Sequence, residues 1–363
     1  MKVNITSFIR NAKFLNLPDK IDFLHFDLKD TATIFKQEYL SEKLQSAAGE
    51  VTIKEYLKYP YFHLKTEFTQ DDKEKVNEKD VVNIIHANSS HLYNNLEMFI
   101  MCLWFIKDNS TFLGGFHTYM PSINYLINIS IIDSIYCDSS GKYNHGETYS
   151  IDELNRTLKF FVKYNEAINH SSVKLLPKNQ RTPPLQSITT IPYNFTKITR
   201  IERAIHFLKL ARTSTQLHLK ISFYICIYES LFSSSTEKTE ITHTICERVA
   251  LYYGFNPSHR KGIYTQLKEA YGIRSTYFHG QSFDTKKYRD KDLTPIAQNL
   301  DNLTRSILTI ILLADSKIFN QEGDKLEKSF IDLLFSDKKI YGLYLESKPD
   351  YFRFRNVKID EIP

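Results

Sequence analysis

Gln216-Leu217-His218-Leu219-Lys220-Ile221-Ser222-Phe223-Tyr224-Ile225-Cys226-Ile227-Tyr228-Glu229-Ser230-Leu231-Phe232 is apolar almost all the way round a helical period of 3.6 residues. A segment with so little wet face predicts the central, buried helix of a bundle. His218, Ser222, Cys226 and Glu229 recur along it at helical spacing. A polar stripe through a core needs partners, and Glu229 needs a cation, because an unpaired buried carboxylate is costly. Arg274 and Arg248 are the candidates.

Outward from this segment the helical period continues. Ile198 to Leu210 sets Ile201, Ala204, Ile205, Phe207, Leu208 and Ala211 on adjoining faces, with Arg200, Arg203, Lys209 and Arg212 elsewhere. Further helices are expected at Ile241 to Tyr253, His259 to His279 and Leu293 to Ala314. Five helices between residues 195 and 316 predict an all-α bundle. Upstream, Pro177, Pro183, Pro184 and Pro192 mark a linker at 172–194. Residues 1–171 mix periods, with strand-like runs at Tyr59 to Phe68 and Ser122 to Tyr136 and helical ones at Val81 to Ile106 and Ile151 to Ile168. The expected fold class is therefore an α+β domain over 1–171 followed by the bundle. A C-terminal extension, 317–363, is expected to add a helix at Lys325 to Phe335 and a hairpin pairing Tyr341 to Leu345 with Tyr351 to Val357.

Length and composition limit the function classes. A chain of 363 residues with 42% hydrophobic residues and only 11 Gly and 11 Pro can fill two cores. The windows Leu96 to Ile106, Leu217 to Phe232 and Ile307 to Ala314 fall short of the ~20 apolar residues that span a membrane. The opening residues Met1 to Thr6, followed by Arg10, Lys13 and Asp19, lack the apolar stretch of a signal peptide. Cys102, Cys137, Cys226 and Cys246 lie far apart, as buried reduced thiols would, and form no zinc or redox pair. A cytoplasmic protein without a membrane partner is expected.

Charge is distributed unevenly. Residues 195–316 hold 17 Lys and Arg against 11 Asp and Glu, a net of +6, which leaves −1 of the chain's +5 for everything else. A basic segment of this kind suits an anionic polymer, and equally a solvated helical surface.

Weaker signals are soon set aside. His86 and His91 have no carboxylate at ligand spacing, Gly114-Gly115 lacks the Lys-Ser/Thr of a phosphate loop, and no Gly-x-Ser-x-Gly elbow is present. The stronger signal is Ala270-Tyr271-Gly272-Ile273-Arg274-Ser275-Thr276-Tyr277-Phe278-His279-Gly280. Metal-independent RNA cleavage uses the 2′-hydroxyl as internal nucleophile, so it needs a proton carrier at oxygen and a cation beside the charged phosphorane. Histidine carries protons near neutral pH, and arginine presents a fixed planar fork to phosphate oxygens. On an ideal helix five residues turn by ~140° and rise by ~7.5 Å, so the two side chains do not simply stack.

This segment resembles the arginine, four residues, histidine signature of HEPN domains, and its Tyr-x-x-Arg-Ser and His-Gly context is similar to the Apea-like branch. Ile227-Tyr228-Glu229-Ser230-Leu231-Phe232 resembles the acidic helix of that branch, and Cys246-Glu247-Arg248-Val249-Ala250-Leu251 its middle helix, in the same order, over residues 196–316. The resemblance implies an endoribonuclease needing no metal or cofactor, a toxin or antiphage-defence effector. It also implies a homodimer that brings two Arg/His pairs into one cleft. Arg274 and His279 would be catalytic, with Glu229 and Ser275 orienting them. Arg248 and the basic clusters with Arg260, Lys261, Lys286 and Lys287 would contact RNA, and the clusters equally fit solvated loop charge. Residues 1–171 would meet a trigger ligand or protein.

A structural reading stands beside this one. Arg274 shares the stripe Ile263, Leu267, Ala270, Tyr271 and Phe278, so it can serve as a core cation paired with Glu229, while His279 caps its helix. That is the expectation for a catalytically silent HEPN module that binds nucleic acid or a partner protein. A branch silenced by nucleotide transfer to a tyrosine two residues after the histidine fits less well, since Gln281 stands there.

Overall fold

The computed structural model describes residues 2–15, 17, 22–23, 26–29, 40–67, 78–129, 135–168, 198–233, 241–279, 290–321 and 323–335. The expected linker and the expected hairpin at 341–357 lie outside them. The chain divides into two compact units. One gathers Met1–Tyr136 and Tyr143–Leu158, and the other Cys137–Lys142, Lys159–Val173 and Asn194–Pro363.

The first unit is built on strands β1 (Lys2–Arg10), β2 (Ala12–Phe14), β3 (Asp22–Phe23), β4 (Phe26–Lys29), β5 (Tyr61–Glu67), β6 (Phe112–Met120), β7 (Tyr125–Ile129) and β8 (Glu147–Tyr149). Six of them form an antiparallel sheet in the order β3-β4-β5-β1-β6-β7, and β2 pairs in parallel with β8. Helices α1 (Glu42–Tyr56, kinked at Gly49) and α2 (Glu78–Ile106) belong to this unit, and α3 (Ile151–Ile168) begins in it. The basis for the sheet is β1, which pairs on one side with β5 and on the other with β6, so that Phe8 lies opposite both Tyr61 and Gly115.

Strand side chains alternate between faces, and each face of the sheet has its own cover. Phe62 and Phe116 meet Phe99 and Tyr93 of α2 edge to face, whereas Phe8, Tyr61 and Tyr119 form a cluster with Leu44 of α1. The expected strand at Tyr59 to Phe68 and helices at Val81 to Ile106 and Ile151 to Ile168 are present. Of Ser122 to Tyr136, only Tyr125–Ile129 is strand among the described residues. Sequence reading passed over β1, β6 and α1.

Gly114 has a steric role. Because Phe8 pairs with Gly115 and Ile9 with Leu113, Gly114 is the extra residue of a β-bulge. A Cβ there would lie 2.5 Å from Nε of Arg10. Its absence lets Arg10 lie across Tyr59, with the guanidinium carbon 3.9 Å from the ring centroid.

The second unit is helical: α4 (Arg200–Thr213), α5 (Leu217–Phe232), α6 (Ile241–Tyr253), α7 (Pro257–Phe278), α8 (Asp290–Ile310) running into a π turn at Ile311–Asp315, α9 (Ser316–Phe319) and α10 (Asp324–Phe335). Thr199 opens α4 with a capping box closed by Glu202, and Asn256 opens α7 with Pro257 behind it. The helix α5 is central, packing against α4, α6, α7 and α8. Its Ile221, Tyr224, Ile225, Ile227, Tyr228, Leu231 and Phe232 are fully enclosed, each such side chain contributing ~1.5–3 kcal/mol of hydrophobic stabilisation. Polar ties run to α8: the Tyr224 hydroxyl donates to Asp301 at 2.5 Å, and Tyr228 and Thr304 share a hydrogen bond of 2.8 Å. Phe319 and Phe330 pack on Phe232, so α9 and α10 close the bundle.

Several basic residues turn inward, which corrects the expectation that Arg200 and Arg212 lie off the packed faces. The last carbonyls of a helix lack partners within it. Arg200 donates to the carbonyls of Ser230 (3.2 Å) and Ser233 (2.6 Å) at the end of α5. Arg248 donates to Phe232 at 2.8 Å, and Lys220 donates to Ala211 of α4 at 2.7 Å. Arg305 pairs with Asp301. Together with Arg212 these residues are buried, so part of the positive excess of this unit is structural rather than a surface offered to a polymer.

Candidate active site

Arg274 projects from α7 towards α5. Its Nη2 donates to Oε2 of Glu229 at 3.0 Å, with the two side chains 32% and 25% exposed. Its guanidinium carbon stands 5.7 Å from the ring centroid of Phe278, one turn further along α7. The bond to Glu229 uses a single terminal nitrogen, and the buried Nε has no hydrogen-bond partner among the described residues. The cation is therefore anchored to Glu229 by one terminal nitrogen, and its side chain is about one-third exposed.

The surroundings set the charge state of the carboxylate. Burial pushes Glu229 above the usual carboxylate range, although Arg274 pulls the other way. The Tyr271 hydroxyl lies beside the Glu229 carboxylate. Burial, and then Glu229, raises its pKa. Cys226 is raised chiefly by burial and by Glu229, with Arg274 opposing. Along the same stripe His218 meets Tyr277, ring centroids 4.3 Å apart. The start of α5 thus faces the end of α7, and the stripe read from sequence does find partners.

His279 is the C-cap residue of α7. Its backbone N–H donates to the Ser275 carbonyl at 3.0 Å, and its side chain is exposed, as is that of Ser275. Phe278, expected on the buried stripe, is 56% exposed, while Ile263, Leu267, Ala270 and Tyr271 are buried as expected. The stripe therefore ends one turn before the helix does, and α7 closes on two exposed side chains, Phe278 and His279.

Comparison of the chain with protein-family models, with curated proteins and with solved structures gives no match.

The remaining candidates separate clearly. Arg248 is 8% exposed, and its Nη2 takes both carboxylate oxygens of Glu327 at 2.8 and 2.9 Å, so it holds α10 to α6. It is the cation for Glu327, and Arg274 is the cation for Glu229. Nε of Arg260 donates to the Gly254 carbonyl at 2.9 Å, whereas Lys261 is exposed. Lys286 and Lys287 lie outside the described residues, and so do the side chains of His86 and His91. Among the four cysteines Cys102, Cys137 and Cys246 are buried, Cys226 is partly so, and all are free thiols.

Sequence reasoning missed a cleft of about 330 Å3 beside Glu229, lined by Arg200, Arg203 and Phe207 of α4 and by Cys226, Glu229, Ser230 and Ser233. Arg203 is exposed there. The signal was present: residues 200, 203 and 207 share one helical face, whereas the sequence reading set Phe207 with the apolar residues and the two arginines elsewhere.

Proposed function

We propose that the helical unit is a metal-independent endoribonuclease acting as a toxin or antiphage-defence effector in the cytoplasm. The reading rests on Arg274, a cation held at one edge by Glu229 and one-third exposed, five residues before the exposed His279 on the same helix. In this scheme the 2′-oxygen attacks phosphorus and the bond to the 5′-oxygen breaks, leaving a 2′,3′-cyclic phosphate and a 5′-hydroxyl. The 2′-hydroxyl proton leaves and a proton reaches the 5′-oxygen. His279 carries protons, while Arg274 stabilises the charge building on the phosphorane oxygens. Glu229 orients Arg274, and the exposed Arg203 and Lys261 follow the RNA backbone. A catalytic pair at one helix end suits a two-fold dimer in which each protomer completes the other's cleft.

The pairing of Arg274 with Glu229 inside the fold favours a second reading, a silent module in which the arginine is structural. Labelled transfer RNA and messenger RNA incubated in EDTA with parent, His279→Ala and Arg274→Lys proteins distinguish the two. An endoribonuclease cleaves in EDTA, leaves cyclic-phosphate ends, and loses at least about a hundredfold in rate on His279→Ala, the scale of one lost acid–base group. Parental cleavage by a folded His279→Ala protein, or no cleavage by any of the three, supports the silent module.

A further inference from the structure

The cleft between α4 and α5 adjoins the candidate catalytic arginine through one carboxylate. Glu229 lines the cleft, and its Oε2 accepts from Nη2 of Arg274 at 3.0 Å. A group that fills the cleft therefore lies beside the arginine assigned to the scissile phosphate.

The two walls are helix faces. The lining residues of α4, from 200 to 207, and those of α5, from 226 to 233, recur at helical spacing, and each wall runs for about 10 Å. One end is fixed by Arg200, whose guanidinium donates to the carbonyls of Ser230 and Ser233 and ties the start of α4 to the end of α5. A volume of about 330 Å3 is at the small end of ligand sites and suits one nucleotide of a longer chain.

The walls differ in chemistry. The α4 wall offers the exposed cation Arg203 and, one turn further, the half-buried ring of Phe207. The α5 wall offers acceptors. Ser230 Oγ donates to the Cys226 carbonyl at 2.8 Å and Ser233 Oγ to the Glu229 carbonyl at 2.6 Å, so each hydroxyl proton is engaged and each oxygen is left to accept. The Glu229 carboxylate is a third acceptor. Such a wall matches a base edge that donates: cytosine presents an amino group where uracil presents a carbonyl oxygen. A ring for stacking and a cation for the backbone are the parts of a site for an unpaired nucleotide.

We propose that this cleft seats one unpaired nucleotide adjoining the scissile phosphate, with its phosphate on Arg203, its base on Phe207 and the exocyclic amino group of the base donating to the α5 wall. The place of this nucleotide beside a cut phosphate rests on the ribonuclease reading, whereas its binding can be measured without cleavage.

Fluorescence anisotropy of the full chain with labelled 2′-fluoro oligomers, which lack the nucleophile and stay intact, tests the cleft apart from the reaction. The probes are a cytidine hexamer, a uridine hexamer and an abasic phosphodiester of the same length. The parent protein should bind the cytidine hexamer about fivefold more tightly than the uridine hexamer, the scale of one hydrogen bond, and the abasic chain most weakly. Phe207→Ala should weaken both hexamers at least about fivefold, the lower bound for one stacked base, and leave the abasic chain unchanged, while Phe207→Tyr retains binding. Arg203→Ala should weaken all three probes and flatten their salt dependence, and Arg203→Lys should restore it. Equal affinity for the three probes, no saturable binding, or hexamer affinities unchanged in Phe207→Ala overturns the proposal. Equal affinity for cytidine and uridine overturns the amino-group contact. Cleavage in EDTA by the same proteins separates this proposal from the reading beneath it. A parent protein that cleaves, with Phe207→Ala binding and cleaving as the parent does, keeps the ribonuclease and removes the cleft. The expected binding pattern with no cleavage by the parent keeps the nucleotide site and removes the ribonuclease.

Discussion

The two units handle buried polarity in opposite ways. In the helical unit cations are carried inside: Arg200, Arg248 and Lys220 reach the terminal carbonyls of α4 and α5. Among the described residues of the sheet-containing unit the buried polar side chains are hydroxyls, an amide and two histidines, with no Lys, Arg, Asp or Glu, as in Thr6 hydrogen-bonded to Nδ1 of His63 at 2.9 Å and His117 against Phe8. Helices end in unsatisfied carbonyls that a long cationic side chain can reach, whereas paired strands satisfy their own backbone. A basic count in a helical bundle therefore measures internal capping as well as affinity for nucleic acid.

The sharpest way to break this contrast is to remove an internal cation. Arg248→Ala strips the Phe232 carbonyl of a donor and leaves Glu327 without its bidentate partner, so denaturant unfolding should show a loss of about 3 kcal/mol. A surface arginine would cost a few tenths. In the sheet-containing unit the corresponding weakness is acid. Burial lowers His117 to about 4 from an ordinary 6.5, so the unfolded chain binds its proton first. Stability should be complete above pH ~6.5 and fall as pH drops towards 4, by up to about 3 kcal/mol, and His117→Gln should flatten that part of the curve.

Gly114→Ala tests the packing of Arg10. The new methyl must push Arg10 off Tyr59, lowering stability by about 1–2 kcal/mol, measurable as a reduced melting temperature. Glu229→Gln should have the smallest effect. The ion pair is a quarter to a third exposed and burial already raises the carboxyl, so stability should change by less than about 1 kcal/mol. Its larger consequence should be a looser Arg274 and slower cleavage if the ribonuclease reading holds.

Helix identity in the second unit was legible because it depends on neighbours three and four residues away. The all-apolar α5, the stripe of α7 and the helix expected at Lys325 to Phe335 emerged within a turn of their observed bounds. The central strand β1 was not legible. Its Asn4, Thr6 and Ser7 break the apolar run, and their burial depends on partners some 55 to 115 residues distant. Strand propensity largely expresses such context.

The same division runs through the candidate site. The sequence alone set Arg274 and His279 five positions apart on one helix and required a cation for Glu229. It left open whether Arg248 or Arg274 supplied that cation, whether Phe278 was core or surface, and that Arg203 borders a cleft. Tertiary structure decided these points, because each depends on what the fold sets opposite: α5 for Arg274, α10 for Arg248, while Phe278 is left exposed. Spacing along a chain determines what shares a helical face, and only packing determines what that face meets.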